Sequence, residues 1–115
     1  MAESVLINLT GHPVVVEIDN GLVTLSPDGP PARVSESSTV TSAVTTDDGP
    51  VPVLAVTPGP VVDLPSSKKD VLLIVSRAVA TSATDRQDLV VPYGHLRDED
   101  GHVVACTGLA RIGEW

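Results

Sequence analysis

Residues 71–83, with the sequence VLLIVSRAVATSA, form the longest apolar stretch of the chain. The continuous apolar run 71–75 favours a strand that is buried on both faces. The alanine-rich continuation from Arg77 favours about two turns of helix. The stretch therefore predicts a buried strand followed by one short helix.

Shorter runs with strand character lie on both sides of this stretch, and turn residues separate each run from the next. They are residues 5–9, 14–18, 22–25, 33–41, 51–56, 89–91 and 102–107. Valine occurs 20 times, and valine, isoleucine and threonine together make up 34 of the 115 residues. Because β-branched residues are enriched in strands, this composition favours a sheet with an aliphatic core.

Glycine and proline mark the turns between these runs. Asp19-Asn20-Gly21 and Asp100-Gly101 predict hairpin turns, because these residue types accept positive φ angles at little cost. Residues 27–31 (PDGPP) and 47–52 (DDGPVP) predict loops, because proline provides no amide donor to a ladder. We expect a single domain over residues 1–115, mainly β, as an antiparallel sandwich or small open barrel with one short helix. At this length a compact domain has a radius of gyration near ~13 Å.

The charge balance limits the partners that the chain can attract. Seven Lys and Arg against fifteen Asp and Glu give a formal charge of −8, which repels nucleic acids and anionic membranes. No window approaches the ~20 apolar residues of a membrane span, and the first residues lack the cationic start of a signal peptide. We therefore expect a cytoplasmic protein that binds neither membranes nor, non-specifically, nucleic acid.

The single cysteine, Cys106, lies in an apolar segment and is expected to be buried and unreactive, without an internal disulfide. Zinc binding by His95, His102 and Cys106 is disfavoured by strand register. A two-residue turn at Asp100-Gly101 places His95 opposite Cys106 and the two histidines far apart. A four-residue turn would bring the histidines diagonally close but would lose Cys106.

Other chemical motifs are missing or incomplete. Asp98-Glu99-Asp100-Gly101 suggests a calcium loop, but Leu96 stands where such a loop needs another oxygen ligand, so a solvated hairpin tip is expected. The sequence contains neither a Gly-x-Ser-x-Gly elbow nor a glycine-rich phosphate loop. We expect a protein that is not an enzyme and needs no metal or cofactor.

Basic residues near the predicted ends of strands are the candidate ligand-binding residues. They are His12, Arg33, Arg77, Arg86 and Arg97. Asp85 and Asp88 flank Arg86, so its guanidinium is expected to be paired, whereas the residues around Arg77 contain no acid and leave it free for a ligand. If an anion site exists, Arg77 should converge on one pocket with Arg33, Arg86 or Arg97.

Several segments resemble a family of small proteins found in tailed phages and actinobacterial genomes. They are NLTGH at 8–12, ARV at 32–34, IVSRAVA at 74–80, DRQDLVVP at 85–92 and RDEDG at 97–101. The family's opening motif usually reads Asn-Leu-Thr-Pro-His, and Gly11 takes the place of its proline here. The resemblance covers nearly the whole chain, and it implies a phage or prophage context without a particular activity. From the residues of the turn itself, Asn8 and Thr10 are expected to satisfy its backbone groups.

Two functions are compatible with these patterns. The first is a non-catalytic phage-type binding protein whose ligand is a small anionic metabolite or nucleotide, or a host protein. The alternative is a structural virion component such as a capsid decoration protein, which suits an acidic, proline-rich and lysine-poor chain. We also expect self-association, with Trp115 in or near the contact, because tryptophan is enriched at interface hot spots.

Overall fold

The computed structural model describes residues 5–112, and the prediction for Trp115 lies outside them. Over these residues the elements follow in the order β1 (Val5–Asn8), β2 (Val14–Ile18), β3 (Gly21–Leu25), β4 (Arg33–Thr46), β5 (Gly49–Val62), β6 (Val71–Ile74), α1 (Arg77–Ser82), β7 (Leu89–Arg97) and β8 (Val103–Ala110). The expected mainly β fold with one short helix is confirmed.

Six of the strands form one sheet, which curls into a half barrel. Their order across the sheet is β1-β6-β7-β8-β2-β3. The pairings β2/β3 and β7/β8 are antiparallel, but β1/β6, β6/β7 and β2/β8 are parallel, which the sequence analysis did not anticipate. A parallel neighbour requires a crossover connection, and the predicted helix α1 between β6 and β7 supplies one.

Residues 71–83 fold as their sequence predicts. Ser76 caps α1, and its Oγ accepts a hydrogen bond from the backbone N–H of Val79 at 3.3 Å. Ile74 on one face of β6 and Val75 just beyond its end are both fully buried. Because side chains alternate along an extended segment, these two residues enter separate core clusters on opposite faces of the sheet.

The two core clusters lie on either side of the sheet. The cluster on the helix side contains Leu9, Leu73, Val75, Val79, Leu89 and Val91, together with alanines 32, 80 and 83. The cluster on the other side is smaller and contains Val14, Ile74, Val90 and Cys106. The central strands β6 and β7 therefore hold the fold together, and α1 covers one face.

Both predicted hairpin turns are present. Asp19 and Asn20 connect β2 to β3, with Gly21 at a φ of 132°. Asp100 and Gly101 lie in the connection between β7 and β8, which spans residues 98–102. His95 pairs with Cys106 as predicted, but the two-residue turn from which that pairing was predicted was wrong: the connection is five residues long, and an irregularity between Leu96 and Arg97 shifts the register.

Strands β4 and β5 form a separate two-stranded hairpin, and each contains 14 residues. Neither strand contains a buried residue. The radius of gyration is 17.9 Å and the longest extent is 60 Å, so the expectation of about 13 Å for a compact domain was wrong. The extended hairpin accounts for the difference.

The predicted loop at 47–52 was also wrong, because only Asp47 and Asp48 form the turn and β5 begins at Gly49. Pro50 and Pro52 belong to the ladder and lie opposite Thr45 and Ala43. Proline is compatible with an edge strand when its nitrogen faces away from the neighbouring strand.

Candidate functional site

The turn after β1 is organised around the buried side chain of Asn8, which is only 2% exposed. Its Nδ2 donates to the carbonyl oxygens of His12 and Leu25, both at 2.8 Å. Its Oδ1 accepts from the backbone N–H of Thr10 at 2.9 Å and lies 2.7 Å from the Thr10 hydroxyl. The expected structural role of this motif is confirmed: Asn8 joins the turn to the end of β3 and places His12.

Gly11 adopts a φ of +86° in this turn, and a Cβ on it would lie 3.3 Å from Pro31. Proline is held near a φ of about −65° and cannot adopt this conformation. Proline at position 11 could therefore not form this turn.

A concavity of about 240 Å³ opens beside this turn. It is lined by Thr10, His12, Val75, Ser76, Arg77, Val91, Pro92 and His95. His12 comes from the turn, Arg77 from the first residue of α1 and His95 from β7. Two of the predicted ligand residues, His12 and Arg77, thus lie together, and His95 joins them.

The lining of this basic concavity contains no carboxylate, although the chain has an excess of eight negative charges. In residues 5–112 no carboxylate lies within ion-pair distance of Arg77. An arginine without an acidic partner keeps its five N–H donors available for an anion. The chemistry of this lining would suit a small carboxylate or phosphate.

Arg86 is paired, as its flanking acids predict. Its Nε and Nη2 donate to the two carboxylate oxygens of Asp88 at 2.9 and 2.8 Å, and Nη2 also donates to the carbonyl oxygen of Pro65 at 2.8 Å. The hydrogen bonds from Arg86 lower the pKa of Asp88, and those to Asp88 raise the pKa of Arg86, in each case against the opposing effect of partial burial. Arg86 therefore links the loop before β6 to the start of β7 and is not free for a ligand.

The remaining predicted arginines lie away from the basic concavity. Arg33 begins β4 at the base of the hairpin, opposite Val62. Arg97 ends β7 and donates to the carbonyl oxygen of Gly101 at 2.8 Å. The expected convergence of Arg77 with a second arginine is not observed, because strand ends on different parts of the chain do not meet at one edge of this sheet.

Hydrogen bonds within the turn account for the acidic residues at the tip of the β7/β8 hairpin. Asp98 Oδ1 accepts from the backbone N–H groups of Asp100 and His102 at 2.9 and 3.0 Å. Asp98, Asp100 and His102 lie close together, but all three are exposed. Cys106 is buried, as expected, on the inner side of β8.

A larger cavity of about 450 Å³, which was not predicted from the sequence, lies at the outer edge of the helix-side core. Its apolar floor comes from Ile7, Leu9, Leu64, Val71 and Leu73, with Asp63, Lys68 and Asp88 at the rim. Five parts of the chain line it, namely residues 7–9, 28–30, 63–68, 71–73 and Asp88. Because these parts are far apart in sequence, no local pattern marks the site.

Six of the fourteen exposed large hydrophobic residues among 5–112 lie in the hairpin of β4 and β5. Its exposed large aliphatic residues are Val40, Val44, Val51, Val53, Leu54 and Val56. Val40 is 60% exposed and lies directly opposite Leu54, which is 47% exposed. No charged residue occurs in 37–46 or 49–62. The regular spacing of Pro50, Pro52, Pro58 and Pro60 at even positions is the sequence signal that could have identified this edge strand.

Comparisons of the chain with models of protein families, with curated proteins and with solved structures found no match. Among residues 5–112 no helix has the length and apolar character needed to cross a membrane.

Proposed function

We propose that this protein is a non-catalytic structural component that acts by assembling through the hairpin of β4 and β5. The observation that carries the proposal is the exposure of six large aliphatic side chains on a projecting element that contains no buried residue. By strand alternation Val44, Val51 and Val53 lie on one face of the hairpin and Val40, Leu54 and Val56 on the other. Exposed apolar patches on a folded domain are characteristic of interaction sites.

Strand physics supports the same conclusion. An isolated two-stranded hairpin is marginally stable in water, and it usually requires a third strand or a packing partner. Here the base of the hairpin contacts the body through Val34 and Val61, which pack against the helix-side core. The rest of its length has no such support, so a partner that covers it gains both hydrophobic burial and ladder hydrogen bonds.

The distribution of charge indicates where contact is possible. Copies of a chain with a formal charge of −8 repel one another over most of their surface. The hairpin strands are free of charge over residues 37–46 and 49–62, so they provide a surface on which two copies can meet without that repulsion.

The acidic, proline-rich and lysine-poor composition, together with the resemblance to phage proteins, favours a virion component such as a capsid decoration protein. Such a component is made as a separate chain and must form a symmetric contact of fixed stoichiometry. We expect sedimentation velocity of the concentrated protein to show one species of fixed stoichiometry, and a continuous range of sizes would contradict this assignment.

Light scattering coupled to gel filtration tests the assembly proposal. We expect the wild-type protein to be oligomeric at micromolar concentration and Val40→Glu to be monomeric, because the variant places a charge in the apolar surface. Leu22→Glu is the matched control, since Leu22 is an aliphatic residue of the body that is 64% exposed. A monomeric wild type at high micromolar concentration would exclude the proposal.

A second candidate function is the binding of a small anion, and the convergence of His12, Arg77 and His95 on the basic concavity favours it. Calorimetry with nucleotides and small carboxylates tests it. For a ligand that binds, Arg77→Ala should cost about 1.5–3 kcal/mol of affinity, the range of a hydrogen bond to a charged group. Arg33→Ala is the control because Arg33 lies outside the concavity, and an equal loss in both variants would contradict this site.

A further inference from the structure

We propose that the hairpin's partner is a second copy of this chain, added along the outer edge of β4 about a two-fold axis. This inference rests on the proposed assembly function and specifies its partner. It follows from which backbone groups of the two strands point outward, and from the charges at the two ends of the hairpin.

The short turn determines which backbone groups face outward. Thr46 and Gly49 flank the two-residue turn, so they form a pair that exchanges its N–H and C=O groups. Opposite residues then alternate between bonded and non-bonded pairs along the ladder. Thr45/Pro50 and Ala43/Pro52 are therefore non-bonded pairs, whose backbone groups point away from the hairpin.

The outer edge of β5 is interrupted by proline. The strand keeps its alternation from Gly49 to Pro58, because the extra residue of the bulge near Thr41 lies in β4. The outward nitrogens of β5 therefore belong to residues 50, 52, 54, 56 and 58, and those at 50, 52 and 58 are prolines without an N–H. Proline on an edge strand prevents the addition of another strand.

The outer edge of β4 has no proline, and it is open on both sides of the bulge near Thr41. Its outward residues are Glu36, Ser38, Val40, Ala43 and Thr45. All of them are exposed. An edge that carries free N–H and C=O groups beside exposed aliphatic side chains is a template for strand pairing.

Pairing of β4 with β4 of a second copy closes the assembly. A two-fold axis makes the new pairing antiparallel and uses the same edge of both copies. The product is a four-stranded sheet in the order β5-β4-β4-β5, with a proline-interrupted edge on each side. Growth stops at two copies, because neither outer edge accepts another strand readily.

Charges at the two ends of the hairpin are complementary in this arrangement. Antiparallel pairing over the full strand places the tip of each copy, Asp47 and Asp48, beside the base of the other, where Arg33 begins β4. Arg33 is exposed and forms no ion pair within residues 5–112. The pairing would give it acidic partners from the second copy.

The shared edge is long. Fourteen residues at about 3.3 Å each give an edge of roughly 46 Å along which the two copies can pair. The side chains beside the shared edge, including Val40, would be covered in part by the partner.

A pair of proline substitutions tests the edge. Ala43→Pro removes one outward N–H from β4 and leaves the hairpin's own bonds intact, and Pro52 directly opposite shows that proline fits at such a position. Val56→Pro is the matched control on β5. We expect sedimentation equilibrium to show a wild-type dimer, a dissociation constant raised about tenfold or more by Ala43→Pro, the scale of one lost bond in each copy, and little change for Val56→Pro.

The outcomes separate this inference from the proposed function. A monomeric wild type would overturn both. A wild-type oligomer that Ala43→Pro leaves intact, or that Val56→Pro weakens equally, would overturn only the β4 edge.

A charge exchange gives a second test if Ala43→Pro fails to fold. We expect Arg33→Asp to weaken the dimer several-fold, and the double variant Arg33→Asp with Asp48→Arg to restore it. Equal dissociation constants for the single and the double variant would contradict the antiparallel arrangement.

Discussion

The body and the hairpin contain the same kinds of residues in opposite environments. All of the buried hydrophobic residues among 5–112 lie outside β4 and β5, although these two strands contain eight of the twenty valines. β6 and β7 have neighbours on both edges and a core cluster on each face, whereas β4 and β5 pair only with each other and reach the core only at their base. Residue preference thus determines that a segment is a strand, and its neighbours determine whether its side chains are buried.

The largest expected effect on stability is in the centre of the body. Ile74 is fully buried in β6, so Ile74→Ala should reduce the free energy of unfolding by about 2–5 kcal/mol through lost burial and the cavity left behind. Ile74→Val, which removes one methyl group, should cost about 0.5–1.5 kcal/mol. Urea denaturation followed by circular dichroism measures both. A loss below that of Ile74→Val in the alanine variant would show that β6 is not the core strand.

The next largest effect on stability is expected at Asn8, the buried polar residue of the body. Asn8→Ala removes the Nδ2 donor from the carbonyl oxygens of His12 and Leu25, of which that of His12 keeps a second contact, to the Thr10 hydroxyl, and we expect it to cost about 1–3 kcal/mol. Thr10→Val is the control, since it removes only a hydroxyl at the edge of the same network. The same denaturation experiment compares them, and a larger loss for Thr10→Val would contradict the central role of Asn8.

A smaller effect depends on pH and involves the pair of Arg86 and Asp88. The pKa of Asp88 is lowered in the folded protein, chiefly by the hydrogen bonds from Arg86. Its contribution is therefore complete above the pKa of an unfolded aspartate, about 3.9, and is lost as the pH falls through the folded value. Asp88→Asn should cost about 1 kcal/mol at pH 7, as expected for a partly exposed pair, and progressively less below pH ~4.

Thermal unfolding from pH 7 to pH 2 measures this dependence. Asp85→Asn is the control, because Asp85 acts on Arg86 only through its charge. A difference between wild type and Asp88→Asn that stays constant down to pH 2 would show that the ion pair does not stabilise the fold.

The sequence predicted the local structure better than it predicted the assembly of segments. The strand and helix of residues 71–83, both hairpin turns and the pairing of His95 with Cys106 depend on neighbouring residues or on one short turn, and all are confirmed. The parallel pairings of β6 depend on contacts between segments far apart in sequence, which no local pattern records.

In the candidate sites, too, contacts between nearby residues were predicted better than contacts between distant segments. The pairing of Arg86 with Asp88 follows from two nearby residues and was predicted correctly. His12, Arg77 and His95 come together only because three separate elements converge. The sequence therefore identified His12 and Arg77 but not His95, and it wrongly predicted that Arg77 would converge with a second arginine. The extended hairpin was missed because Pro50 and Pro52 were interpreted as the end of a strand, whereas they mark its edge.

The smallest expected effect lies in the hairpin, and it provides the sharpest contrast with the body. Val40 is 60% exposed, so in dilute protein Val40→Thr should change the free energy of unfolding by no more than about 0.5 kcal/mol. If the hairpin assembles, a contribution that binding makes to stability must grow with protein concentration, because mass action favours the folded and associated state. Val40→Thr should therefore lower the melting temperature relative to wild type more at high concentration than at low concentration.

Ile74→Val is the matched control for this last experiment, because Ile74 is buried within one chain and its variant should lose the same stability at every concentration at which the protein has the same oligomeric state. Calorimetry over a hundredfold range of concentration compares the two. A Val40→Thr effect that is independent of concentration would place Val40 outside any interface. It would also contradict the view that the hairpin is covered by a second copy, whereas the body is buried within one chain.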